Sequence, residues 1–204
     1  MIPLLIVLYF TMLRILLLLG CFLHLQIFAN ELLSKEAARI QYAYLKLKQV
    51  PSSLSLQEEF ISAFPAHKKA FLRIFQPEEF DQLYDSSHDY IELLKRASVN
   101  YPREVLHKCI EIGKNLVWDA DAVNDLQGST TSIAIGHPGI FISEVRCLSQ
   151  AEQRKLFQFL ADVEDHSAYP EYELLTECLN ETHAPELATM MQEAKRRRMR
   201  QKGH

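Results

Sequence analysis

Glycine is scarce in this 204-residue chain, with six in all. Five of them, Gly113, Gly128, Gly136, Gly139 and Gly203, come after residue 29. None belongs to a glycine-rich loop of the kind that cradles phosphate. No HExxH motif occurs and no two histidines stand four residues apart, so the sequence offers no zinc-protease pair. GxSxG, SxxK and CxxC are also missing. The chain therefore carries none of the short signatures of nucleotide binding, serine hydrolysis or dithiol chemistry.

Charge is what the first 29 residues lack. MIPLLIVLYFTMLRILLLLGCFLHLQIFA holds one formal charge, Arg14, and turns polar immediately afterwards at NELLSKEAARIQ. Such a stretch enters a membrane, either as a signal peptide or as an anchor. With Met12 as an alternative start, MLR forms the charged n-region, and Ala29 stands at the −1 position of a cleavage site. Ile15 to Ala29 spans about 22 Å as a helix, short of the roughly 30 Å hydrocarbon core. Cleavage before Asn30 is expected, and export to the periplasm or the extracellular space with it. Two alternatives stand beside it: an uncleaved anchor, or a lipid on Cys21 of LLGC, which is similar to a lipobox.

Past residue 29 the chain holds 21 basic and 26 acidic residues, a net of −5. Six of those cations, Lys195, Arg196, Arg197, Arg198, Arg200 and Lys202, crowd the last ten residues. Residues 30–194 alone carry a net of −11, which disfavours nucleic acid as a partner. Cations at a helix C-terminus complement its dipole, so the tail is expected to fray into solvent and to bind membranes little at physiological salt. Cys109, Cys147 and Cys178 each sit on an apolar stripe, which suggests three buried thiols.

The remaining pattern is helical. Prolines fall between periodic segments, and Pro77, Pro102, Pro138, Pro170 and Pro185 read as first-turn residues. Pro65 opens or kinks PAHKKAFLRIF, and Ser55–Glu58 and Ser149–Glu152 read as capping boxes. Asp85 or Ser86 caps SHDYIELLKRAS, and Asp119 caps DADAVNDLQ. TTSIAIGHPGIFISEV is Ile- and Thr-rich enough for two strands, but an isolated hairpin is marginal, so a helix ending near His137 and another from Pro138 is preferred. The expected fold is all-α, an irregular array of about nine or ten short amphipathic helices in a single domain. Its divisions are a signal peptide or anchor over 1–29, a weak helix and linker over 30–54, the helical domain over 55–194 and the basic tail over 195–204. Phe60, Phe64, Phe71 and Phe75 share one face of a helical pair and are expected in the core, as is Trp118 at the N′ position near Val123.

Candidate chemistry is thin. Asp119, Asp121 and Asp125 approach a calcium loop, but Val123 and Asn124 stand where a ligand and the obligatory glycine belong, so helix capping explains them better. His88 beside Asp89, and His166 after Glu164 and Asp165, would each need a distant partner for acid–base work. Glu58, Glu59, Glu78 and Glu79 are available for a two-carboxylate hydrolase of the lysozyme kind. No catalytic, metal or cofactor-binding residue is assigned, and no cofactor is expected.

FPAHKKAFLRIF, LYDSSHDYIELL and WDADAVNDLQ, in that order over about residues 55–165, resemble a family of small exported bacterial helical proteins. The resemblance implies a shared fold and attaches no activity to any position. It suggests an immunity or accessory protein to a secreted toxin, acting by protein–protein binding, with the acidic body steering a basic partner. A periplasmic hydrolase with paired carboxylates and a membrane-surface protein using its Arg-rich tail are the alternatives.

Overall fold

Helix breakers and caps divide the chain into ten α-helices among the described residues, with no strand. The structure is a computed structural model that describes residues 34–76, 83–117, 121–163 and 169–202. The helices are α1 Lys35–Gln49, α2 Leu54–Ala63, α3 Lys68–Phe75, α4 Ser87–Ala97 and α5 Pro102–Gly113. They continue as α6 Ala122–Gly136, α7 Pro138–Arg146, α8 Gln150–Ala161, α9 Pro170–Glu181 and α10 Pro185–Lys202. A 3₁₀ turn, Tyr84–Ser86, precedes α4. The unit beginning at Lys35 has a single core, and none of its helices is long and apolar enough to cross a membrane. The apolar segment 1–29, Cys21, Pro77 with Glu78 and Glu79, Trp118, Asp119 and the Glu164–His166 stretch lie outside the described residues.

The all-α expectation holds, and most of its stripes are buried. Tyr90, Ile91, Leu94 and Ala97 of α4 face inward, as do Val105, Cys109 and Ile112 of α5 with Leu116 beyond it. Leu156, Phe157, Leu160 and Val163 do the same in and after α8. Phe60, Phe64, Phe71 and Phe75 form one buried cluster, with neighbouring ring centroids 5.2–6.4 Å apart. Helix α1 lies along α2 and buries Ala37, Ile40, Ala43 and Leu47, so it belongs to the core.

Helix α6 is the hub, packed against α4, α5, α7 and α9. Surrounded on several sides, it cannot be amphipathic in the ordinary way. Gln127, Thr130 and Thr131 are buried, and each hydroxyl returns to the carbonyl four residues back: Thr130 to Leu126 at 2.6 Å, Thr131 to Gln127 at 3.0 Å. The strand-like composition of TTSIAIG thus belongs to a buried helix with internally satisfied threonines. It ends at Gly136, and α7 starts at Pro138, as preferred over a hairpin.

Several local expectations are corrected. Helix α2 begins one residue before Ser55, and Ser53 is its cap, its Oγ accepting from the Leu56 N–H; Ser55 is within the first turn. Pro65 stays in the connection, and α3 begins at Lys68 under His67, whose Nδ1 accepts from Ala70 at 3.3 Å. Ser86 occupies the α4 cap position without a side-chain capping bond. Helix α6 begins at Ala122 rather than directly after Asp119, with Asp121 in a left-handed conformation (φ 53°) at its cap. Cys109 is buried, but Cys147 is exposed and Cys178 half-buried, so the three thiols do not share one environment. Ser149 and Glu152 make the capping box in full.

Candidate functional site

The last two helices position the basic tail. Helix α9 ends in a Schellman motif: Ala184 N–H donates to the Leu179 carbonyl at 2.9 Å and His183 N–H to that of Asn180 at 3.3 Å. His183 takes the left-handed position (φ 60°), and Pro185 starts α10 directly afterwards. The corner is locked by the buried pair Leu179 and Ala184 and by Tyr172, whose hydroxyl donates to the Met191 carbonyl at 2.6 Å. Helix α10 then runs along α8 and carries the tail as a continuous helix to Lys202. The tail is therefore helical rather than frayed, with Arg198 half-buried against the body and Arg196, Arg197 and Arg200 exposed. Lys195 pairs with Glu173, and Arg198 Nε with Asp162 Oδ1 at 2.6 Å.

This packing opens a cleft of about 660 Å³ between the end of α5, the outer face of α8 and the last turns of α10. Lys114, Lys155, Arg197, Arg198 and Arg200 line it against one carboxylate, Asp162. Phe159 and Leu116 supply its apolar floor, and Val117 stands on its wall. Two of the five cations are committed. Arg198 is held by Asp162, and Lys114 bridges Glu111 and Glu152 at 2.8 Å each. Burial pushes Lys114 down, yet the two carboxylates outweigh it and hold the ammonium above its ordinary value. Among the described residues no carboxylate pairs with Lys155, Arg197 or Arg200. Three cations from two helices thus face one concavity with their charge uncompensated, an arrangement suited to holding an anion.

A second cleft, of about 470 Å³, lies between α2, α5 and the end of α7. Glu144, 11% exposed, occupies its wall with both oxygens engaged, one by Arg103 and the other by His107 Nδ1 at 3.1 Å. Glu58 and Glu104 share that cleft, while Glu59 pairs with Lys46 at 2.8 Å. Lys108 is half-buried there and donates to the Phe64 carbonyl at 2.9 Å, capping the end of α2; burial lowers its pKa. Of the carboxylates named from sequence, Glu58 opens onto this cleft and Glu59 faces α1, while Glu78 and Glu79 lie outside the described residues.

Among the described residues, the histidine and aspartate candidates join helices. His88 Nδ1 lies 3.2 Å from Asp125 Oδ1, tying α4 to α6, and the Tyr84 hydroxyl donates to Asp121 at the same junction. Asp89, beside His88 in sequence, accepts instead from Tyr44 at 3.2 Å. The cationic cleft was not predicted. The tail was visible as a charge block, but Lys114 and Lys155, roughly 40 to 90 residues earlier, carry no local signal linking them to it.

Comparison with protein-family models, curated proteins and solved structures finds no match to this chain, so a functional reading rests on its own geometry.

Proposed function

We propose that this is an exported helical protein that works by binding rather than catalysis, with the cationic cleft as its recognition surface for an anionic partner. The observation that carries the reading is the convergence of Lys155, Arg197 and Arg200 in one concavity of an otherwise acidic chain. Opposing charge on the body limits indiscriminate attraction. Within the roughly 8 Å over which exposed charges act at physiological salt, the net −11 of residues 30–194 opposes polyanions that meet the body elsewhere, which favours a ligand that enters the cleft. The export component rests on the apolar, charge-poor segment 1–29.

Retention on a polyanionic resin tests it. The wild-type chain is expected to elute at higher salt than a Lys155→Glu/Arg200→Glu variant. A control Lys68→Glu/Lys69→Glu variant, altered on α3, should elute earlier by a smaller margin. Equal retention of the cleft variant and the control would contradict the reading.

A second reading, an accessory protein steering a basic protein partner, is favoured by α9. There Leu174 is half exposed on the same helix face as the exposed Glu177 and Glu181. Glu177→Lys/Glu181→Lys should then weaken partner binding while leaving the cleft unaffected.

A further inference from the structure

We propose that Lys108 is a nucleophilic amine that captures a short aliphatic aldehyde as an imine in the cleft between α2, α5 and the end of α7. No residue lines both this cleft and the cationic one, so the capture stands apart from the anion reading. Glu104 precedes Lys108 by four residues on α5, the spacing at which helical Glu–Lys pairs form. Lys108 nevertheless turns to α2, where its Nζ donates to the Phe64 carbonyl at 2.9 Å. Arg39 meets the same helix end, donating to the Ser62 carbonyl at 2.9 Å. Glu144, the most buried carboxylate of the cleft, has both oxygens taken by Arg103 and His107. Among the described residues no carboxylate pairs with Lys108. Burial first, and then the Arg39 charge, hold its amine below the ordinary 10.5. A neutral amine still donates one N–H to Phe64 and keeps its lone pair for a carbonyl carbon.

The cleft suits such a ligand. Its volume of about 470 Å³ lies within the roughly 300–1,000 Å³ of small-molecule sites, and Ile61 and Ala66 give it an apolar wall. An aldehyde needs no counter-charge, which matches a cleft whose Arg103 and His107 are already paired. In the capture, the nitrogen lone pair attacks the carbonyl carbon and one N–H proton passes through water to the oxygen, giving a carbinolamine. The C–O bond then breaks as C=N forms, and the oxygen leaves as water with the second N–H proton. Nothing is oxidised or reduced, and the step reverses by hydrolysis.

Reductive trapping on the full chain tests this: propanal with cyanoborohydride at neutral pH, followed by peptide mapping of every lysine. Exposed Lys155, which also pairs with no carboxylate among the described residues, is the internal reference. We expect Lys108 to be trapped severalfold faster than Lys155, with the pH midpoint for trapping lower at Lys108. Ala66→Asp sets a carboxylate on the exposed edge of the apolar wall. It should slow trapping at Lys108 severalfold and leave Lys155 unchanged, because a nearby anion favours the ammonium. Trapping of the wild-type chain at Lys108 no faster than at Lys155, or one pH midpoint for both, would overturn the proposal.

Discussion

Gly113 and Phe159 touch so closely that a β-carbon on Gly113 would stand 2.6 Å from Phe159 Cε1. The absent side chain lets the end of α5 press against α8, and that contact underlies the cleft floor, where Phe159 lies beside Lys114. Gly113→Ala should destabilise the protein by about 1–3 kcal/mol through overpacking, although alanine favours helix. Gly136, in the last turn of α6, has open space where its β-carbon would go, so Gly136→Ala should be neutral or stabilise by up to about 1 kcal/mol. Urea midpoints for the two variants check both signs; a stable Gly113→Ala protein would mean that α5 and α8 separate easily.

His183 supplies the left-handed residue of the Schellman corner that sends α10 back along the body. Glycine takes that conformation without the Cβ penalty, so His183→Gly should raise stability by about 0.5–1 kcal/mol. His183→Val should lower it, since a β-branched residue is strained there. Thermal midpoints moving in the opposite order would show that the imidazole makes a contact worth more than the backbone strain.

Tyr172 is buried, and its hydroxyl reaches the Met191 carbonyl across the α9–α10 interface. Removing a donor of this kind typically costs about 1 kcal/mol. Tyr172→Phe should show that loss in chemical denaturation while keeping anion affinity, because the helices still pack. A collapse of anion affinity with unchanged stability would place the hydroxyl's role in orienting the tail.

Glu152 gives the fold an acid-sensitive point. Hydrogen bonds from Lys114 first, then from the Ser149 hydroxyl and backbone, hold its carboxyl at about 2, well below the ordinary 4.5. A carboxyl lowered in the folded state adds stability above its unfolded value and loses it as the folded group takes up its proton. Stability should therefore decline as pH falls from 4.5 towards about 2. Glu152→Gln should flatten that part of the profile and leave the neutral-pH shape unchanged. An identical acid limb in the variant would show that other carboxylates carry it.

Much of this fold was legible because its signals are local. Ser149 and Glu152 are three residues apart, and Pro102, Pro138, Pro170 and Pro185 each mark a first turn by the chemistry of one residue. What escaped was either ambiguous locally or assembled at long range. Ser55 with Glu58 has the spacing of a capping box, yet Ser53 is the cap and Ser55 falls in the first turn. His67 and His183 do work usually assigned to Ser or Gly. The cleft is the long-range case: Lys155 meets Arg197 and Arg200 only because α10 folds back along α8, a consequence of the His183 corner.

The central claim is that those cations form one anion site. Calorimetric titration of the full chain with tripolyphosphate at physiological ionic strength measures it directly, compared with Lys155→Ala, Arg200→Ala and the double variant. Charge-assisted hydrogen bonds contribute about 1.5–3 kcal/mol each, so each single change should weaken binding by roughly tenfold or more. The double change should cost less or more than the sum of the two, since residues sharing one ligand are coupled. Binding that is unaffected by both changes would contradict the account.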